Sequence, residues 1–112
     1  MISLEISGSI AHLRLDRPDK LNAMNWALWK GMPGFIDQIN ENMNVRCAIL
    51  SGVGKAFSVG LDFFDVIPRL GDPSGGPDGE RQRRLQKMIR TMQRAVTSVE
   101  RCRVPVLSII HI

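Results

Sequence analysis

The chain has 112 residues, 44% of them apolar and 23% charged, with a formal net charge of +4. That is enough for one core in one domain, and the balance is that of a globular chain rather than a disordered tail, a collagen-like rod or a membrane bundle. No apolar run reaches the roughly 18 residues of a membrane span, and the N-terminus carries no basic-then-apolar leader, so no membrane partner is expected and the cytoplasm is the expected compartment.

In chain order, Ile2, Leu4 and Ile6 alternate with polar residues, as do Ala11, Leu13 and Leu15 after Ser7-Gly8-Ser9. Two period-two runs around a glycine turn predict a β-hairpin. His12 falls on its polar face and reads as a solvated strand residue. A loop follows at Arg17–Lys20, and Asn25 is placed to cap a helix starting at Trp26. Leu28, Trp29, Met32, Phe35, Ile36, Ile39 and Met43 repeat at helical spacing. Gly31, Pro33 and Gly34 interrupt them, so a break or kink is expected near Gly31. Arg46–Ser51 reads as a buried parallel strand, and Gly52–Asp62 as a glycine-rich turn. Pro68–Gly79 reads as an exposed loop.

From Glu80 to Arg101 the residues Leu85, Met88, Ile89, Met92, Val96 and Val99 form an apolar helical stripe. The stretch from Glu80 to Arg103 holds eight of the fifteen Lys and Arg against two acids, so the basicity belongs to one helix. The strict stripe, without aromatic interleaving, favours a solvated basic face over a nucleic-acid surface. Pro105 ends this segment, and Val106–Ile110 reads as another buried strand. Strands alternating with helices predict an α/β protein with mainly parallel later strands. Cys47 and Cys102 are too few for a disulfide scaffold and read as buried free thiols in a reducing compartment. No His or Cys pair has ligand spacing, so no metal is expected.

The glycine turn is not a P-loop, because Ile49 stands where the first glycine belongs, nor a dinucleotide fingerprint, because Phe57 stands at the third. No Ser lies in a G-x-S-x-G elbow. What remains is either a plain strand-to-helix turn or a set of backbone N–H groups able to meet an oxyanion.

Three blocks carry a resemblance. Asp16-Arg17-Pro18-Asp19-Lys20-Leu21-Asn22-Ala23-Met24 is similar to the R-P-x-K-x-N-A-[LM] block of the enoyl-CoA hydratase/isomerase (crotonase) superfamily. Residues 45–62 resemble its V-R-x-[VI]-[VIL]-[TS]-G-x-G-[KR]-x-F-[SA]-x-G-x-D block, and Val104-Pro105-Val106 running to His111 resembles its K-P-V-I-A-A-V-H-G strand. Trp29, Met32, Phe35, Ser51–Lys55, Asp65 and Ser98–Cys102 look most like the dienoyl-CoA isomerase branch. The Gly31–Gly34 interruption departs from the family's first helix.

The resemblance implies a crotonase-like (ClpP/crotonase) spiral of ββα units, with residues 1–112 its N-terminal portion. It implies homo-oligomers (trimers or dimers of trimers), acyl-CoA substrates, and no cofactor beyond the coenzyme A of the thioester. The thioester carbonyl would become an enolate, with the backbone N–H of Leu61 one oxyanion donor. Ala56, Val59, Gly60, Leu61, Asp62 and Phe63 would line the thioester and acyl region. Lys20, Leu21 and Ala23 would follow the pantetheine and nucleotide, Lys20 being either a phosphate partner or a solvated lysine. The family's second donor and its catalytic carboxylates lie beyond the His-Gly motif, where Ile112 replaces the glycine. The expectation is therefore an isomerase or hydratase portion, inactive alone, or a truncated non-catalytic paralogue that binds CoA or assembles with other subunits.

Overall fold

In the computed structural model residues 1–71 and 79–109 are described. Strands β1 (Ile2–Ser7) and β2 (Ile10–Leu15) form the antiparallel hairpin, turning at Gly8 with φ +61°. β3 (Cys47–Gly52) and β4 (Val106–Ser108) add in parallel, giving the sheet order β1-β2-β3-β4. Parallel neighbours need crossovers. Helix α1 (Trp26–Glu41) makes the first and α3 (Glu80–Glu100) the second. No described helix is long and apolar enough to cross a membrane.

Period-two alternation sends Ala11, Leu13, Leu15 and Ala48 to one face of the sheet. There they pack against Leu28, Met32, Ile36 and Ile39 of α1 and Ala95 of α3, with Val45 and Val104 closing the ends. Arg103 ties the second crossover to the end of α1. Its guanidinium donates to the carbonyls of Asn40 in the last turn of α1, of the cap residue Asn42 and of Val45 just beyond, at 3.3, 2.8 and 2.9 Å.

The structure corrects several expectations. The first helix does not break near Gly31: α1 is continuous with Pro33 inside it. A mid-helix proline costs about 3 kcal/mol. Four buried side chains on one stripe contribute about 1.5–3 kcal/mol each, which outweighs it. Met43 is not part of the stripe, because the helix stops at Glu41 and leaves it 75% exposed. Within the expected 68–79 loop, Ile67–Leu70 is a 3-10 turn with Leu70 buried, and residues 72–78 lie outside the described residues. On α3 only Met88 of the predicted stripe is buried. Val99 packs on the core, while Leu85, Ile89 and Val96 are exposed.

β4 is not a buried strand: Val106 is half-buried and Leu107 and Ser108 are exposed. It is the last described strand of the sheet, and Ile110, His111 and Ile112 lie outside the described residues. Both free thiols are half-buried rather than buried. His12 is not simply solvated: its Nε2 lies 2.7 Å from Ser51 Oγ. Burial, and then Arg14, hold its pKa below the usual 6.5, with Glu5 opposing.

Candidate active site

The site is built where two irregular segments, 17–24 and 52–62, are laced together at the end of the sheet. Asn22 is the central stitch. It is fully buried, and its Nδ2 donates to the carbonyls of Val53 and Ala56 at 2.9 and 2.8 Å. Its Oδ1 accepts from the Arg17 N–H at 2.8 Å. Asn22 has φ +57°, a left-handed conformation that asparagine tolerates better than most residues. Gly52 leaves room for this packing, since a Cβ there would stand 2.3 Å from the Phe57 oxygen and 2.6 Å from the Ala56 oxygen.

Arg17 closes the lacing from the other side. Its guanidinium donates to the Ala23 carbonyl at 2.6 Å and to Asp62 Oδ2 at 3.0 Å, and both charged side chains of that ion pair are largely buried. Asp62 also caps the short helix α2 (Phe63–Val66) by accepting from the Asp65 N–H at 3.2 Å. Asp65 accepts the Trp26 N–H at 2.7 Å and pairs with Arg69 at 3.3 Å. The Trp26 N–H, helped by Arg69, holds the Asp65 carboxyl below its usual 3.8.

These bonds present one backbone group outward. Leu61 forms a parallel bridge with Met24, in which the Met24 N–H donates to Gly60 at 2.7 Å and the Asp62 N–H to Met24 at 3.0 Å. Within such a bridge the polar groups of Leu61 itself point to the opposite edge. Among the described residues no acceptor takes its N–H. Gly60, at φ +93°, makes the turn, its N–H held by Ser58 Oγ at 3.1 Å while that hydroxyl donates to the Asn22 carbonyl at 2.7 Å. A fixed, unpartnered N–H on a pinned turn suits an oxygen that gains charge during a reaction.

The structure brings most of the sequence-derived residues together. The Val59 N–H donates to the Leu21 carbonyl at 3.2 Å, and Ala23 and Ala56 supply the carbonyls named above. Lys20, Leu21, Val59 and Phe63 are exposed, while Ala23, Ala56, Gly60, Leu61 and Asp62 are half-buried. The Lys20 ammonium has no described ion-pair partner. Sequence reasoning missed the positioning roles of Arg17, Asn22 and Ser58. The first two stand in the 16–24 block, so their presence was visible and their hydrogen bonds were not.

The sequence model for Enoyl-CoA hydratase/isomerase matches residues 5–111. The chain belongs to the enoyl-CoA hydratase/isomerase family. It is 34% identical over 102 residues to the mitochondrial Delta(3,5)-Delta(2,4)-dienoyl-CoA isomerase of Mus musculus, covering 91% of this chain and 31% of that one. It is also 34% identical over 112 residues to the peroxisomal Delta(3,5)-Delta(2,4)-dienoyl-CoA isomerase of Arabidopsis thaliana, covering 99% and 40%. Among solved structures, an enoyl-CoA hydratase/isomerase from Mycobacterium paratuberculosis superposes with a TM-score of 0.78 at 28% identity, covering 97% of this chain and 40% of that one. One from Marinobacter aquaeolei gives 0.83 at 24% identity, over 98% and 40%. The fold is the crotonase-type α/β architecture in its N-terminal portion, and this family chain spans 31% and 40% of the length of those two curated relatives.

Proposed function

We propose that this chain supplies one oxyanion donor and part of the coenzyme A cleft of an acyl-CoA isomerase acting on enoyl- or dienoyl-CoA thioesters. The observation that carries the reading is the Leu61 N–H, without an acceptor among the described residues and fixed by the Gly60–Met24 and Ser58–Asn22 bonds. A thioester carbonyl seated there gains negative charge as a proton leaves the neighbouring carbon, and a preorganised donor stabilises that enolate. Val59–Phe63 and Ala56 line the reacting end, and Lys20, Leu21 and Ala23 follow the pantetheine and nucleotide. Coenzyme A enters as part of the substrate, and no further cofactor or metal is invoked.

Isomerisation is favoured over hydration because the mouse and Arabidopsis relatives are both dienoyl-CoA isomerases by name. A hydratase using the same donor is the alternative.

The chain does not turn over substrate alone in this reading. Asp62 is committed to Arg17 and to the α2 cap, and Asp65 to Trp26 and Arg69, so neither is a free acid or base. Residues 1–112 then act as the N-terminal part of a larger catalytic unit, as a homo-oligomer of three or six subunits, or as a non-catalytic CoA-binding paralogue. Cytoplasmic residence belongs to the reading, and cell fractionation decides it against the mitochondrial and peroxisomal names of the relatives.

Calorimetry with an enoyl-CoA and with free coenzyme A tests the donor. Binding should be tighter for the thioester, and Leu61→Pro, which deletes the N–H, should remove that increment while Leu61→Ala keeps it. Equal thioester binding by both variants, or turnover by a preparation of these 112 residues alone, overturns the reading.

A further inference from the structure

The first turns of α1 and the middle of α3 enclose a second concavity, of about 340 Å³, outside the laced loops. Trp26 and Lys30 reach it from one helix, Arg84, Lys87 and Met88 from the other, and Arg69 from the turn after α2. The volume lies in the range of roughly 300–1,000 Å³ that holds small ligands.

Its charge is out of balance. Arg69 pairs with Asp65 at 3.3 Å and Arg84 with Glu80 at 2.6 Å, but Lys30 and Lys87 have no ion-pair partner among the described residues. Arg84 and Lys87 are three residues apart on one helix, a spacing at which like charges repel. Among the described residues four cations line this trough and two of them are paired with carboxylates, so an anion seated there gains from the cations and relieves their mutual repulsion. The floor is apolar: Met88 is buried, and it belongs with Val66 and Leu70 to a small core cluster packed by Trp26 and Leu61. The Trp26 indole N–H has no acceptor among the described residues, whereas that of Trp29 is satisfied by the Met24 carbonyl at 3.1 Å.

We infer that this trough is a binding site for a nucleoside phosphate, with the phosphate held by Lys30, Lys87, Arg69 and Arg84 and the planar base on Trp26. The two halves of the lining select the class. Inorganic phosphate meets the cations but leaves the indole and Met88 unused, and an apolar ligand leaves the cations unmatched. A planar ring carrying a phosphate uses both, because stacking on an indole is tolerant of base identity and charge-assisted bonds fix the anion. The site does not include Lys20 or the Leu21–Ala23 segment, so it is a second anion site beside the proposed coenzyme A cleft.

Calorimetric titration of the full chain with adenosine monophosphate, with inorganic phosphate in parallel, tests the inference. Adenosine monophosphate should bind saturably, weaken with added salt, and lose about tenfold or more in affinity in the double variant Lys30→Gln, Lys87→Gln. Trp26→Leu should weaken adenosine monophosphate but leave the affinity for inorganic phosphate unchanged. Circular dichroism of each variant checks that the fold is kept, and Lys20→Gln controls for the cleft. No saturable binding in the millimolar range overturns the inference. So does equal affinity in the double variant, or a loss that follows Lys20→Gln instead.

Discussion

The laced loops and helix α3 are held by different kinds of force. Segments 17–24 and 52–62 contain little regular structure, yet hydrogen bonds from Asn22, Arg17 and Ser58 satisfy their buried carbonyls and fix the direction of the Leu61 N–H. Helix α3 is 21 residues long and regular, yet it buries only Met88 and Ala95, with Val99 partly packed on the core. Regularity is therefore a poor guide to rigidity here: a backbone locked by directional bonds holds a donor in place, while a long helix with two buried anchors adds mainly surface.

The contrast is broken most severely at Gly52. A Cβ at that position would lie 2.3 and 2.6 Å from two backbone oxygens, which cannot swing aside as a side chain would. Gly52→Ala should cost more than about 4 kcal/mol in urea unfolding, or prevent folding, because the 52–62 turn must be rebuilt. Near wild-type stability would mean that the turn is not locked. Asn22→Ala comes next. It strands two carbonyls and the Arg17 N–H in a fully buried position and places alanine at a left-handed φ. At about 1–3 kcal/mol for each stranded group, less what water recovers, a loss of about 3–4 kcal/mol is expected.

Much of the frame was legible in the sequence because it rests on periodicity. The hairpin, the parallel third strand, the Asn25 cap and the extent of α3 all follow from alternation, helical spacing and capping chemistry. The continuity of α1 through Pro33 was not legible, since local propensity argues against it and only burial of Leu28, Met32, Ile36 and Ile39 together overrides it. The position of the Leu61 turn was legible through the family blocks. The lacing that fixes it was not, because bonds such as Asn22 to Ala56 join residues 34 apart and no one-dimensional pattern encodes them. The exposed face of α3 escaped for the opposite reason. Its apolar spacing is correct, but spacing does not say whether anything lies against it.

Asp65 sharpens the comparison at its boundary, where α2 is tied to the start of α1. Asp65→Ala should cost about 1 kcal/mol at neutral pH, the usual size of a lost bond to a helix-initiating N–H. The bonded carboxyl titrates below its usual 3.8, so its stabilisation is complete above that value and drains away as pH falls through the lower folded value. Thermal melts of wild type and variant should therefore differ at pH 6, with the gap narrowing only below pH 3.8 and closing as pH falls through the lower folded value. A gap that persists in acid would mean that the carboxylate is not what joins the two elements.

Val96 marks the weak end of the comparison. It stands on α3 one residue from the buried Ala95, but its side chain is 59% exposed. Valine is also a poor helix former, so Val96→Ser exchanges one middling propensity for another and removes little buried area. The expected change is within about 0.5 kcal/mol, the range of surface substitutions away from special contacts. The same exchange at a covered site would lose the transfer energy of the apolar side chain and desolvate a hydroxyl, costing above about 2 kcal/mol. A loss of that size in chemical denaturation, falling further as the chain is diluted, would show that α3 is gripped in solution by a second copy. The long helix would then owe its order to assembly, whereas the laced loops are held by hydrogen bonds within this chain.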